Sequence, residues 1–250
     1  MPLEAFKVAC SQCSWHDLLC VPAGLPSKTV QARLGGLVAS WRGIKPGDTL
    51  FSSGTPFTAL YAIQTGFFKT SATTTNGCEQ VTGFYMAGEV IGLDGIASDR
   101  YTCEAIALEA AHVCVMPYAR ISALTREMPG LQTCLDKIMS REIVRQHNVM
   151  LMLGGMRAEE RIAAFLLDLS HRMHVRGFSR SDLVLRMSRG EIGSYLGLKL
   201  ETVSRTFSRL AEQGILEVKQ RNVHIRDIKA LHAMLNIGAQ MQDAAYLHTP

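Results

Sequence analysis

The stretch Met187-Ser-Arg-Gly-Glu-Ile-Gly-Ser-Tyr-Leu-Gly-Leu-Lys-Leu-Glu-Thr-Val-Ser-Arg-Thr-Phe-Ser-Arg-Leu210 constrains this chain more than any other part of it. It predicts a helix, a tight turn at Gly197 and a second helix. On the second helix Leu200, Val203, Phe207 and Leu210 fall at helical spacing and predict an apolar face. Glu201, Thr202, Ser204, Arg205, Ser208 and Arg209 take the opposite face. A short helix that is apolar inside and rich in donors and acceptors outside fits the major groove, and a helix-turn-helix presents it that way. An ordinary surface hairpin of two helices accounts less well for the turn glycine, the dense polar face and the basic surroundings.

Charge is distributed in keeping with this. Between Arg157 and Lys229 the chain has 14 Lys and Arg against 9 Asp and Glu, whereas the rest has 12 against 13. The positive excess therefore sits around the expected DNA reader, where phosphate binding needs it. With 250 residues, 47% apolar and 19% charged, the chain suits two globular domains. Its N-terminus lacks the basic start and apolar run of a signal peptide. The most apolar stretch, Ala105 to Met116, is too short to span a bilayer and is interrupted by Glu109 and His112. A cytoplasmic protein is expected, with no membrane partner. No nucleophile–base constellation or phosphate loop stands out, so an enzyme is not expected.

From about Thr49 to Pro117 short apolar runs alternate with turn residues: Leu50-Phe51, Leu60–Ile63, Phe67–Ser71, Gln80–Tyr85, Gly88–Gly92, Thr102–Ala107 and Ala111–Met116. This spacing predicts a β-sandwich or roll. Between Gly130 and Leu153 a long helix is expected, on which Met139, Ile143, Gln146, Met150 and Leu153 follow a 4-3-4-3 spacing. That is a coiled-coil seam with one polar member, and it predicts a dimer in preference to a buried helix of a monomer. A helix over Glu159–His174, a loop over Arg176–Asp182 and the helix-turn-helix follow. Ile215–Arg226 then reads as two short strands about a Gln-Arg-Asn turn, the wing of a winged helix, ahead of a helix near Ile228–Leu235.

The seven cysteines need a reading of their own in a reducing compartment, where metal binding or redox chemistry is favoured over disulfides. Cys10, Cys13 and Cys20 are spaced C-x2-C-x6-C. Thiolates so close suit zinc or an iron–sulfur cluster. Three ligands leave such a site one short, and Cys78, Cys103, Cys114 and Cys134 are the candidates for the fourth. Spacing alone chooses neither the metal nor that ligand.

Several blocks carry a family resemblance: Leu60-Tyr-Ala-Ile-Gln-Thr-Gly66, Glu79-Gln-Val-Thr-Gly-Phe-Tyr-Met-Ala-Gly-Glu89, Ala158-Glu-Glu-Arg-Ile-Ala-Ala-Phe165, Arg176-Gly-Phe-Ser179, Arg189-Gly-Glu-Ile-Gly-Ser-Tyr-Leu-Gly-Leu198 and Glu201-Thr-Val-Ser-Arg205. With them the chain resembles the CRP/FNR superfamily of bacterial regulators, and within it the FNR-type oxygen sensors. The resemblance implies an α+β protein: an N-terminal sensory β-roll of the cyclic-nucleotide-binding, jelly-roll kind, a long dimerisation helix and a C-terminal winged helix-turn-helix. Mapped onto this chain, it implies a cysteine-rich segment over 1–29, the β-roll over 30–127, the dimerisation helix over 128–156, the DNA-binding domain over 157–230 and a tail over 231–250.

The resemblance also implies a 4Fe–4S cluster, with Cys10, Cys13 and Cys20 matching the family's N-terminal trio and Cys114 its fourth ligand. Cys103 is the runner-up. The spacing between the second and third cysteines is one residue longer here than in FNR itself, a difference a loop absorbs. The cyclic-nucleotide branch pairs a Gly-Glu with a later Arg-Ser; here Gly88-Glu89 and Arg100 are present, but Tyr101 replaces the serine. A phenol where a hydroxyl should meet phosphate speaks against a cyclic nucleotide.

Function follows by the same resemblance. A dimer is expected to bind a palindromic promoter site with TTGAT-like half-sites, to act as an activator with RNA polymerase as partner, and to release DNA when oxygen destroys the cluster. The alternative is a CRP-like regulator answering another ligand or a thiol or zinc redox state. For base readout, Arg205 can donate twice to guanine, Glu201 can accept from cytosine N4, Ser204 can do either, and Thr202 sits beside them. Ser188 and Arg189 suit phosphate contacts. Glu201 and Arg205 are also four apart, so a plain helix salt bridge competes with that reading. The family carries an acidic residue at the seam position held here by Gln146.

Overall fold

The computed structural model describes residues 38–73 and 77–235, which fall into two compact units dividing between Glu142 and Ile143. In the first, β1 (Ser40–Ile44), β8 (Ala111–Pro117), β3 (Ala59–Thr65) and β6 (Val90–Ile91) form one antiparallel sheet in that order. A second has the order β2 (Thr49–Phe51), β7 (Glu104–Ala107), β4 (Phe67–Thr73) and β5 (Glu79–Met86). Helix α1 (Tyr118–Glu127) follows β8 directly, and α2 (Pro129–Gly155) begins after Met128.

Side-chain alternation explains the layers. On β3 and β8, Tyr61, Ile63, Ala111 and Val113 turn into a core with Phe51, Phe68, Tyr85 and Tyr101. Their neighbours Leu60, Ala62, Cys114 and Met116 turn to the other face, where Ile121 of α1 and Leu131 and Leu135 of α2 cover them. Burial on both faces explains why β3 reads as an unbroken apolar run in place of an alternating one.

The second unit holds the rest of α2, then α3 (Ala158–Val175), β9 (Asp182–Val184), α4 (Arg189–Leu196), α5 (Leu200–Glu212), β10 (Leu216–Lys219), β11 (Asn222–Ile225) and α6 (Ile228–Met234). Its small sheet runs β10-β11-β9. Helix α3 packs on both α5 and α6, through fully buried side chains such as Ile162, Leu166 and Leu169. The α+β architecture expected from sequence is therefore present: a β-roll, a long helix and a winged helix-turn-helix.

Candidate nucleic-acid interface

The turn between α4 and α5 is built on two glycines. Gly197 caps α4 in the left-handed conformation, with φ 62°. Gly193, one turn earlier, lies so close to Leu198 that a Cβ there would stand 2.6 Å from the Leu198 carbonyl oxygen. At the other end of α4, Ser188 accepts from the Glu191 N–H at 3.2 Å while its own N–H donates to Glu191 Oε2 at 2.7 Å. This is a capping box, and it fixes the N-terminus of the first helix. The Ser-x-x-Glu spacing carries that signal in the sequence, where Ser188 reads only as a phosphate contact.

Helix α5 has two sharply different sides. Val203, Thr206, Phe207 and Leu210 are buried, whereas Glu201, Arg205, Ser208 and Arg209 are exposed and Thr202 and Ser204 are half-buried. Leu200 departs from the expected apolar face: it is 52% exposed. It lies in the first turn, where its Cδ1 faces Gly190, and Thr206 takes a place in the buried stripe instead. Among the described residues the side chains of Glu201 and Arg205 have no ion pair or hydrogen bond, so the competing helix salt bridge is not formed. Arg209, by contrast, pairs with Glu159 of α3. Glu201, Thr202, Ser204 and Arg205 thus lie on the side of α5 turned away from its buried stripe, Glu201 and Arg205 exposed and the other two half-buried.

Arg189 behaves differently from an extended phosphate clamp. Its guanidinium carbon stands 3.4 Å from the centroid of the Phe207 ring. Among the described residues its Nη1 is buried without a hydrogen-bond partner. Burial pulls its pKa down to about 10, which leaves it cationic at neutral pH. Ser204, Ser208, Ala211 and Val218 line the same cleft as Arg189 and Phe207.

The wing strands pair Leu216–Lys219 with Asn222–Ile225, leaving Gln220 and Arg221 at the tip, Gln220 with φ 56°. Glu217 binds both Lys219 at 2.6 Å and Arg226 at 2.5 Å. These two cations hold its carboxyl down at about 2. On the third strand Asp182 accepts from Ser179 at 2.7 Å and pairs with His224 at 2.7 Å, and these contacts lower its pKa.

Of the expected cluster ligands, Cys10, Cys13 and Cys20 lie outside the described residues. Cys114 is buried on the outward face of β8, and Trp41 of β1 stands opposite it in the register. Val38, where the described chain begins, and Trp41 pack on this same face. The runner-up Cys103 sits in the inner core with its thiol 3.3 Å from Asp94 Oδ2. Burial first, and Asp94 second, push that thiol far up. Cys78 is exposed and Cys134 is half-buried on α2. Among the described residues no three His, Cys, Asp or Glu side chains gather into a metal site.

Where a cyclic nucleotide would need phosphate ligands, other contacts are made. Arg100 donates to the Gly54 carbonyl at 2.6 Å, and Glu89 accepts from the Met86 N–H at 2.9 Å. The Tyr101 ring is buried, stacked on Phe51 at 4.1 Å, and its hydroxyl donates to the Ala59 carbonyl at 2.8 Å. Tyr61 and Phe57 stand against the same ring.

On α2 the exposed large apolar side chains are Ile143, Val144, Met150 and Leu151. Of the expected seam, Ile143 and Met150 are therefore open. Met139 packs on the outward-face core of the first unit, and Leu153 lies beside the Gly197 turn. Gln146 is half-buried. No described helix is long and apolar enough to cross a membrane.

Comparison with known proteins agrees with this arrangement. Residues 160–234 match the Crp-like helix-turn-helix domain and residues 41–127 the cyclic nucleotide-binding domain. The chain is 40% identical over 233 residues to the transcriptional activator protein anr of Pseudomonas aeruginosa, covering 93% of this chain and 94% of that one. It is 38% identical to the fumarate and nitrate reduction regulatory protein of Salmonella typhimurium, covering 91% and 90%. The structure of FixK2 from Bradyrhizobium japonicum superposes with a TM-score of 0.75 at 28% identity, covering 81% of this chain and all of that one. With relatives this similar over nearly its whole length, the chain belongs to the CRP/FNR family of DNA-binding transcriptional regulators, alongside its FNR and Anr members.

Proposed function

We propose that this regulator senses oxygen through a 4Fe–4S cluster held by Cys10, Cys13, Cys20 and Cys114, and that it binds a palindromic promoter site as a homodimer. The observation that carries the cluster assignment is the place of Cys114. It lies on the outward face of β8, opposite Trp41 of the strand that follows the cysteine segment, and not in the inner core where Cys103 is bonded to Asp94. The 17 residues between Cys20 and Val38 leave ample chain for the N-terminal thiols to return to that face. When bound, the cluster would supply iron–sulfide chemistry that oxygen destroys. Cys114 would hold it against the side of the sheet that α1 and the start of α2 cover.

The DNA-facing part rests on α5. In this reading Arg205 and Glu201, exposed and without a side-chain partner among the described residues, read a guanine and a cytosine, with Ser204 and Thr202 between them in sequence. Two copies joined through Ile143, Gln146 and Met150 of α2 would present two such helices to the half-sites of a palindrome, one helical turn apart. Activation of RNA polymerase is part of this reading, through the likeness to proteins named as activators.

Anaerobic purification with iron and sulfide analysis tests the proposal. About one four-iron cluster per chain is expected, bleached by air, absent from Cys114→Ser and retained in Cys103→Ser. Zinc in place of iron, or full iron in Cys114→Ser, overturns the assignment.

A further inference from the structure

One side chain joins the end of α2 to the helix-turn-helix. Arg161, in the first turn of α3, donates from Nε to the Met156 carbonyl at 2.9 Å, from Nη2 to the Leu153 carbonyl at 2.8 Å and from Nη1 to the Leu196 carbonyl at 2.9 Å. Leu153 belongs to the last turn of α2, Met156 to the link after it, and Leu196 is the last residue of α4. Helix ends leave carbonyls without intrahelical partners and with partial negative charge. A planar guanidinium can satisfy two of them and the Met156 carbonyl of the link at once in one fixed geometry, which an ammonium cannot.

The backbone has closed around this joint. A Cβ at Gly197, the turn into α5, would stand 3.3 Å from Arg161 Nη1 and 3.4 Å from Leu153 Cδ2. The turn of the DNA reader therefore rests directly on the arginine and on the last turn of α2. Arg161 is half-buried, and all three of the carbonyls it binds are main chain.

We infer that Arg161 is a positioning residue for DNA recognition: it fixes the direction of α4 and α5 against the end of α2, and so sets the separation of two recognition helices in a dimer. The inference rests on the proposed dimer through α2. A monomer bound to one half-site makes no use of that separation, whereas a dimer on a palindrome does.

The test uses full-length Arg161→Lys, with Arg161→Gln as a second variant that removes the charge and the three-way fork from the same joint. Binding is measured to a single half-site duplex, to the palindrome, and to palindromes with one base pair added or removed at the centre. Thermal melting verifies that each variant is folded. The wild type is expected to prefer the correct spacing. Both variants are expected to keep half-site affinity while that preference falls about tenfold. A preference unchanged in Arg161→Lys overturns the inference and leaves the dimer reading intact. Parallel loss on half-site and palindrome assigns Arg161 to stability alone and also overturns it. A wild type indifferent to spacing overturns the dimer reading, and this inference with it.

Discussion

The guanidinium of Arg189 stands over the ring of Phe207, 3.4 Å from its centroid, so the first side chain of α4 packs onto the recognition helix beside Ser204 and Ser208. This gives Arg189 a fixed place and a cation–π partner, while among the described residues its buried Nη1 has no acceptor. A phosphate at the mouth of that cleft would meet the positive charge of the half-buried guanidinium. Arg189→Ala should therefore weaken binding to all duplexes alike and reduce the salt slope by about one. Titration of specific and random duplexes over a range of salt measures both. A loss confined to the specific duplex would remove Arg189 from the phosphate contacts.

Arg205 is the contrasting case. It is exposed on α5 and has no partner among the described residues. Arg205→Ala should cost about 1–3 kcal/mol of specific binding and relax the preference at one guanine, with non-specific binding weakened much less. Binding to a panel of half-sites substituted one base pair at a time reads this out. Uniform loss across the panel would make Arg205 a backbone contact.

The division between these two arginines was only half legible in the sequence. The polar and apolar sides of α5 follow from spacing, and so do the glycine turn and the wing, because each is local. The inward turn of Arg189 depends on where the Phe207 ring lies, which no periodicity reports. Arg161 was invisible for another reason: its acceptors are main-chain carbonyls, so the residues it joins have no side-chain signature. Strand β1 escaped notice because Ser40–Ile44 is mostly exposed and shows no alternation. Strand β9 is only three residues long and exists through pairing with β11. The Ser188–Glu191 capping box was readable and adds to the phosphate reading of Ser188 a structural role in starting α4.

The wing carries a pH-dependent element. Lys219 and Arg226 hold the Glu217 carboxyl down at about 2, below its ordinary value near 4.3. A depressed carboxylate pKa means that its stabilisation is complete above the unfolded value and is lost as pH falls through the folded one. Glu217→Gln should lower the melting temperature slightly at pH 6, and the difference from wild type should close between about pH 4.3 and pH 2. The same substitution leaves Lys219 and Arg226 without their carboxylate, so non-specific DNA affinity at low salt should rise. A gap in melting temperature that persists at pH 2 would show that Glu217 acts through packing.

The seam of α2 gives the last prediction. Ile143 is 55% exposed and Met150 is 61% exposed, with Gln146 between them on the same line of the helix. In a two-fold dimer two copies of Gln146 face each other and can hydrogen-bond, whereas two carboxylates there repel by roughly a few tenths to 1 kcal/mol when partly solvated. On the proposed cluster-sensing reading, Gln146→Asp should shift the cluster-free protein toward monomer and make DNA release by oxygen steeper. Met150→Asp, which places the charge on the most exposed apolar member of the seam, should dissociate the dimer more strongly than Gln146→Asp. Sedimentation of the cluster-free wild type and both variants decides the matter. Dissociation by Met150→Asp with no response to Gln146→Asp would move Gln146 out of the interface and rotate the seam toward Val144 and Leu151, which are also exposed. No response to either would place the dimer contact elsewhere than on α2.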